Sequence, residues 1–234
     1  MIIYGKNPVR EALKNNNSVT SVVSFSENKE ISDLCKAKKI TFSLINKEKF
    51  IKQYGPSSQG IVAFVEDYQY IELADLLEKT EYNESSTLVM LDSLEDPHNL
   101  GAVLRCADAT GVDGVIIGKN RSVSLNSTVA KVSTGAIEYV DVCQVVNLVR
   151  CLEELKNHGY WIVGLEADGA IDYREYNYSG KNCIVVGSEG KGISRLVKET
   201  CDVLVKIPMV GHVNSLNASV SASIIMYEAL RNKK

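Results

Sequence analysis

At 234 residues, with 45% hydrophobic and 24% charged side chains, the chain can build one large domain or two small ones around a sizeable core. No apolar run approaches the ~18–20 residues of a membrane span, and the opening MIIYGKNPVREAL lacks the basic start and long apolar core of a signal peptide, so a cytoplasmic protein without membrane attachment is expected. The net charge of −3 conceals an asymmetry: residues 1–66 carry +4, the remainder −7.

The first 66 residues read as a small α/β unit. Ile2-Ile3-Tyr4 is a strand, a helix starts near Asn7-Pro8, and Val19–Phe25, Ile40–Ile45 and Gly60–Val65 are strands around helices at Asn28–Lys38 and Lys47–Tyr54. Lys36, Lys38, Lys39, Lys47, Lys49 and Lys52 give this unit a basic character that suits phosphate. A solvated lysine-rich surface would have the same composition. Residues 67–86 are polar and acidic, hold one short amphipathic helix at Ile71–Glu78, and read as a linker.

From 87 to 234 strand and helix alternate. Strands are expected at Thr87–Leu91, Val112–Ile117, Ile137–Cys143, Trp161–Glu166, Cys183–Val186 and Val203–Ile207. Helices are expected at Asn99–Thr110, Ser127–Thr134, Asn147–Asn157, Ile193–Glu199 and Asn217–Arg231. Such alternation predicts a mainly parallel sheet covered on both faces. The six cysteines contain no Cys-x-x-Cys pair and several lie in apolar runs, which predicts reduced, buried thiols. Three scattered histidines do not make a metal site.

Two strands end in glycine-containing loops before a helix. Val186 is followed by Gly187-Ser188-Glu189-Gly190-Lys191-Gly192, and Ile207 by a polar stretch running to Asn217. Open α/β sheets bind ligands beyond the carboxyl ends of their strands, and glycine lets backbone approach a ligand closely. The Walker pattern is absent, because Gly190-Lys191 is followed by Gly192 and Val185 stands where its first glycine belongs. The dinucleotide fingerprint fails too, with Arg195 in place of its third glycine. A third segment, Asp96-Pro97-His98-Asn99-Leu100-Gly101-Ala102-Val103-Leu104-Arg105, follows a buried strand and opens a helix. Taken alone, Asn99 is a good N-cap and Arg105 an ordinary surface arginine.

Together, in this order and spacing, these three segments resemble the SpoU class of RNA ribose 2′-O-methyltransferases, within the SPOUT superfamily. Residues 86–234 match throughout, including Leu125–Ala136. The front part is similar to the ribosomal-protein-like RNA-binding domain of the 23S ribosomal RNA guanosine methyltransferases of that class. Those relatives often have His-Gln-Gly where this chain has Ser58-Gln59-Gly60, so no RNA contact is carried over to position 58.

The resemblance implies an α/β fold with a C-terminal trefoil knot, a homodimer with its interface beside the cofactor site, and S-adenosylmethionine as cofactor without metal. Carried over, the cofactor is held mainly by backbone at Gly187, Ile207 and Leu216. The catalytic and substrate positions are Asn99, Arg105, Glu189, Ser215 and Asn217. Glu189 is expected to order its loop and Asn99 by hydrogen bonding, while Ser215 and Asn217 bond the ribose or cap the last helix. Arginine is a poor base, since moving a guanidinium from ~13 to ~8 costs about 7 kcal/mol. Arg105 is therefore read as a forked phosphate clamp. The expected domains are 1–66 for RNA binding, 67–86 as linker and 87–234 for catalysis. The expected substrate is a guanosine of 23S ribosomal RNA. Transfer RNA and an antibiotic-resistance site on the ribosome are the alternatives within the enzyme class. A non-catalytic RNA-binding or ribosome-assembly protein is the alternative outside it.

Overall fold

The computed structural model describes residues 1–15 and 19–232, and its contacts divide the chain into two compact units. One comprises residues 1–69 and 125–139, the other residues 70–124 and 140 onward.

In the first unit, β1 (Ile2–Tyr4), α1 (Lys6–Lys14), β2 (Val19–Ser24), α2 (Lys29–Ala37), β3 (Thr41–Leu44), α3 (Lys47–Tyr54) and β4 (Ile61–Val65) form a sheet of order β1-β4-β2-β3. β4 is antiparallel to both neighbours, and β2 and β3 are parallel. α1 buries Pro8, Val9, Ala12 and Leu13, one stripe of a helical surface. Asn28 and Asn46 cap α2 and α3 by accepting from Ile31 N at 3.2 Å and Glu48 N at 2.8 Å. The six lysines of this unit named above all stay exposed. Ser58 is buried, and its hydroxyl donates to Gly55 O at 2.7 Å, so it closes a turn. Residues 125–139 fold with this unit and contain a short helix, Ser127–Val132, which is α6 in chain order.

The second unit contains α4 (Leu73–Thr80), β5 (Ser86–Leu91), α5 (Pro97–Thr110), β6 (Gly114–Gly118), β7 (Val142–Val145), α7 (Leu148–Asn157), β8 (Trp161–Leu165), β9 (Ile171–Asp172), β10 (Lys181–Val186), α8 (Arg195–Thr200), β11 (Val203–Lys206) and α9 (Ala218–Asn232). The sheet runs β7-β6-β5-β10-β8-β11-β9, and every pairing is parallel. β5 is buried along its whole length and β10 along nearly all of it, the pattern of a sheet covered on both faces. The chain leaves β5 for β6 and β7 on one side, and the later strands fill the other. The order therefore reverses between β5 and β10, where α/β sheets open a ligand crevice. Register brings Val186 level with Leu91 and Leu165, so the loops after β5, β8 and β10 share one rim. α5 packs on α9, with Gly101, Ala107, Ala218 and Ala222 among the buried small residues that allow a close approach.

The structure differs from the sequence pattern at several places. Ile137–Cys143, expected as one strand, is split. Gly135, at φ 107°, reverses the chain, and Ala136–Glu138 makes one 3₁₀ turn in the first unit. The Tyr68 hydroxyl donates to Glu138 Oε1 at 2.6 Å, and burial with this neighbouring carboxylate pushes the phenol's pKa up. The strand itself, β7, begins only at Val142. The helix expected at Ile71–Glu78 is α4, Leu73–Thr80, and it places Leu76 and Leu77 in the core of the second unit with Met90, Ile116 and Leu152. β9 has only two residues and no periodicity by which to find it. All six cysteines are free; burial raises Cys143 to about 11 and Cys151 to about 12.

Candidate active site

The loop after β10 is built on glycine for steric reasons. A Cβ on Gly187 would stand 2.0 Å from the carbonyl carbon of Gly192, and Gly190 and Gly192 take φ of +81° and +65°. The turn is closed by Gly192 N donating to Ser188 O at 3.0 Å. Two carboxylates from neighbouring strand ends hold it. Glu166, just past β8, accepts from Ile193 N at 2.6 Å, and the buried Asp92, just past β5, accepts from Ser194 N at 2.7 Å. Lys198 reaches Glu166 at 3.3 Å and Asp168 at 2.9 Å; the hydrogen bond to Asp168 is the main reason its ammonium is held above its ordinary range. Neither Glu166 nor Asp92 was singled out from the sequence. The available signal was a carboxylate placed immediately after a buried apolar strand.

The same loop presents Glu189 outward to two asparagines. Asn99 Nδ2 donates to Glu189 Oε1 at 3.0 Å, and Asn217 Nδ2 donates to the same oxygen and to Asn99 Oδ1 at 2.9 Å. Ala218 N adds a longer bond to Glu189 Oε1 at 3.3 Å. Asn217 Oδ1 meanwhile accepts from Ser219 N at 2.9 Å, capping α9. Asn99 is not the cap of α5, contrary to the sequence reading. Asp96 takes that position, accepting from His98 N at 2.8 Å with Pro97 as first helical residue, and these bonds hold its carboxyl below the usual range. Asn99 is thereby free to turn its nearly buried amide toward Glu189.

Beside this cluster lies a cleft of ≈ 410 Å³, within the range of small-molecule sites. Gly187, Ile207 and Leu216 line it together with Glu189 and Ser215. Leu165 and Val186 add apolar wall, and Glu166 a carboxylate. A second cleft of ≈ 480 Å³ adjoins it across Ser188 and Glu189, and Asn99 lines that one. Of the eight residues picked from the sequence, six are thus gathered around a seventh, Glu189. Arg105 is the exception: it is exposed on α5, lines neither cleft and forms no ion pair with any described residue. Among the described residues no three His, Cys, Asp or Glu side chains gather in a way that could hold a metal ion. No described helix is long and apolar enough to cross a membrane.

These features define an α/β protein with a nucleoside-sized cleft at the carboxyl ends of a parallel sheet, fitted with a polar Asn–Glu–Asn cluster. The SpoU rRNA methylase family model matches residues 86–227, and a second model, described as RNA 2′-O ribose methyltransferase substrate binding, matches residues 2–71. A Staphylococcus haemolyticus protein assigned by name to the TrmH family of tRNA/rRNA methyltransferases is 46% identical over 239 residues, spanning 100% of this chain and 96% of the relative. The SpoU methyltransferase AviRb of Streptomyces viridochromogenes, solved with AdoMet, superposes with a TM-score of 0.84 at 23% identity over 99% of this chain and 89% of its own. A structure described as an RNA 2′-O ribose methyltransferase gives 0.81 at 26% identity, over 99% and 88%. The chain belongs to the SpoU rRNA methylase family of RNA methyltransferases.

Proposed function

We propose that this protein methylates a ribose 2′-hydroxyl in structured RNA, with S-adenosylmethionine in the cleft of ≈ 410 Å³ and a guanosine of 23S ribosomal RNA as target. The observation that carries this reading is the convergence of three distant segments on Glu189, at the mouth of that cleft. The cleft suits such a cofactor: Leu165, Ile207 and Leu216 offer apolar surface to a purine, and Gly187 brings backbone to the cleft wall while its missing side chain leaves room for the loop to fold back at Gly192. When bound, the cofactor supplies a methyl group on a sulfonium, which passes to the oxygen by in-line displacement and leaves a thioether. The chain's task is mainly positioning. Asn99, Glu189 and Asn217 hold one another in a fixed arrangement, Ser215 offers its hydroxyl to the ribose, and Arg105 grips an RNA phosphate. The ribose proton passes to water or phosphate.

On this reading residues 1–66 capture RNA. The exposed lysines support that, because phosphate contacts supply much of the affinity for nucleic acid. A homodimer and a trefoil knot belong to the same proposal, and the exposed Val213, Val220 and Tyr227 offer an apolar surface for pairing. Transfer RNA is the second substrate reading, favoured by the relative's assignment to both RNA classes.

The test uses the intact protein with methyl-labelled S-adenosylmethionine and unmodified ribosomal and transfer RNA. Label is expected in a 2′-O-methylnucleoside of ribosomal RNA. Label confined to transfer RNA would reverse the substrate order. No cofactor binding, with RNA bound all the same, would put the non-catalytic reading ahead.

A further inference from the structure

The cleft of ≈ 480 Å³ beside the cofactor cleft has a specific pattern of engaged and unengaged charges. Two of its carboxylates are occupied, Asp96 by His98 and Glu189 by the two asparagines. Glu95, by contrast, is exposed and makes no hydrogen bond or ion pair with any described residue. The same is true of the cleft's two cations, Arg121 and Lys191. Glu95 and Arg121 are brought to the same rim by local bonds. Val123 N donates to Leu94 O at 2.8 Å, and Ser122 Oγ donates to the same oxygen at 3.3 Å. Arg121 also takes φ of 54°, a left-handed conformation uncommon for a residue with a side chain and often kept at functional positions. Lys191 is brought to the cleft by the glycine loop after β10.

A ligand complementary to this cleft offers a pair of hydrogen-bond donors to one carboxylate and negative charge to two cations. An ionised carboxylate only accepts, and can accept two parallel bonds. Among the four RNA bases guanine alone presents two adjacent donors, N1–H and the N2 amino group, on its Watson–Crick edge, the edge that proteins read on unpaired nucleotides. Uracil offers one donor flanked by acceptors; adenine and cytosine each set one donor beside an acceptor. We infer that this cleft holds the target nucleotide, with Glu95 reading the guanine edge and Arg121 and Lys191 holding the flanking phosphates. The inference rests on the methyltransferase reading above and adds to it the residues that select the base. It also gives the Asn99–Glu189–Asn217 cluster a place, because its central member Glu189 lines both clefts, where methyl donor and ribose must meet.

The experiment has two stages, both with the full chain. In the first, unmodified ribosomal and transfer RNA are labelled from methyl-labelled S-adenosylmethionine, digested to nucleosides and separated. Label in 2′-O-methylguanosine is expected. Label only in another 2′-O-methylnucleoside overturns the base reading and leaves the methyltransferase standing; label in none overturns both.

In the second stage, a short RNA carrying the mapped guanosine is compared with the same RNA carrying inosine, which lacks the N2 amino group. Single-turnover rates are measured with parent, Glu95→Ala and Glu95→Gln. The parent should lose about 10-fold or more with inosine, in line with the discrimination of a paired contact. Glu95→Ala should lose a similar factor with guanosine and be nearly indifferent to inosine. Glu95→Gln should resemble Glu95→Ala, because an amide presents a donor where guanine also has one. A loop-ordering role for Glu95 would slow both RNAs equally, and that result overturns the assignment. Arg121→Ala and Lys191→Ala should each weaken RNA binding without changing the guanosine-to-inosine ratio, and each should lower the salt slope of binding by about 1. An unchanged slope in both variants overturns the phosphate part.

Discussion

Glu189→Ala tests whether the three converging segments form one energetic unit. In the parent, Glu189 Oε1 accepts from both asparagine amides and from Ala218 N. Removal does not orphan every donor equally. Asn217 Nδ2 keeps its bond to Asn99 Oδ1 at 2.9 Å, and Asn217 Oδ1 still caps α9. Asn99 Nδ2, on a residue only 5% exposed, loses the acceptor it has. An unsatisfied, nearly buried donor costs about 1–3 kcal/mol. The carboxylate itself sits on an exposed residue, so the lower part of that range applies. A loss of about 1.5 kcal/mol translates into a fall in Tm of roughly 3–6 °C for a chain of this size. Glu189→Gln retains a carbonyl acceptor and should cost less than half as much. The assay is thermal unfolding of the parent, both variants, Asn99→Ala and the Asn99→Ala/Glu189→Ala pair, with methyl transfer measured alongside. Residues in one hydrogen-bonded network should show a coupling of about 0.5–1.5 kcal/mol. A Glu189→Ala variant within 1 °C of the parent and additive with Asn99→Ala would refute the network, and with it the main structural support for the site.

Gly187→Ala should abolish binding of S-adenosylhomocysteine in calorimetry, because its Cβ would lie 2.0 Å from backbone at Gly192 and the loop could close only by moving. Retained affinity would mean that the loop does not form the cofactor wall. Alkaline pH should destabilise the fold through the buried thiols. Cys143 and Cys151, raised to about 11 and about 12, stay protonated in the native state while the unfolded thiols ionise near ~8.5. Their contribution is therefore complete below the unfolded value and is lost as pH rises toward the folded values, amounting to about 1.4 kcal/mol per thiol by pH ~9.5. Cys143→Ala/Cys151→Ala should flatten the fall in Tm between those pH values, and an equally steep fall in the double variant would contradict this. Arg105→Lys, which keeps charge but loses the planar fork, should remain at least about tenfold impaired in single-turnover methylation at every pH. Recovery of the parent rate at high pH would assign Arg105 to proton removal instead.

Most strands of the second unit, β9 and the start of β7 apart, were legible because a covered parallel strand leaves an apolar run, as in Ile184-Val185-Val186, ended by glycine. What local pattern could not show is partnership. Asp92 and Glu166 look like ordinary strand-end residues until the register sets Leu91 and Leu165 level with Val186 and aims both carboxylates at one loop. Asn99 looked like a cap because Asx residues at helix starts usually are caps; Asp96, three residues earlier and followed by proline, was the stronger candidate and took the position. The run beginning at Ile137 looked like a strand because its apolar residues fit one, yet the positive φ at Gly135 committed those residues to a turn in the other unit. The charges of the second cleft come from three separate segments, so no single window of sequence contains them.

Arg105 is where geometry adds most to chemistry. A general base must come within hydrogen-bond reach of the proton it removes, about 2.6–3.2 Å or through one water. On the proposed function the ribose hydroxyl has to lie beside the methyl donor, hence near Glu189 and the mouth of the cleft proposed for the cofactor. Arg105 is exposed on α5 and lines neither cleft, so within one chain it is poorly placed for that contact. A phosphate clamp carries no such restriction. The RNA backbone extends several ångströms from the reacting ribose, and a long side chain on a rigid helix can meet it outside the pocket. The absence of an ion pair with any described residue points the same way, since a guanidinium held ready for an incoming phosphate gains from having no carboxylate to leave. Position therefore favours the clamp independently of the cost of deprotonating arginine, and the two arguments fail under different results: a pH-rescued lysine variant would defeat the chemical one, and a bound RNA with Arg105 against the 2′-hydroxyl would defeat the geometric one.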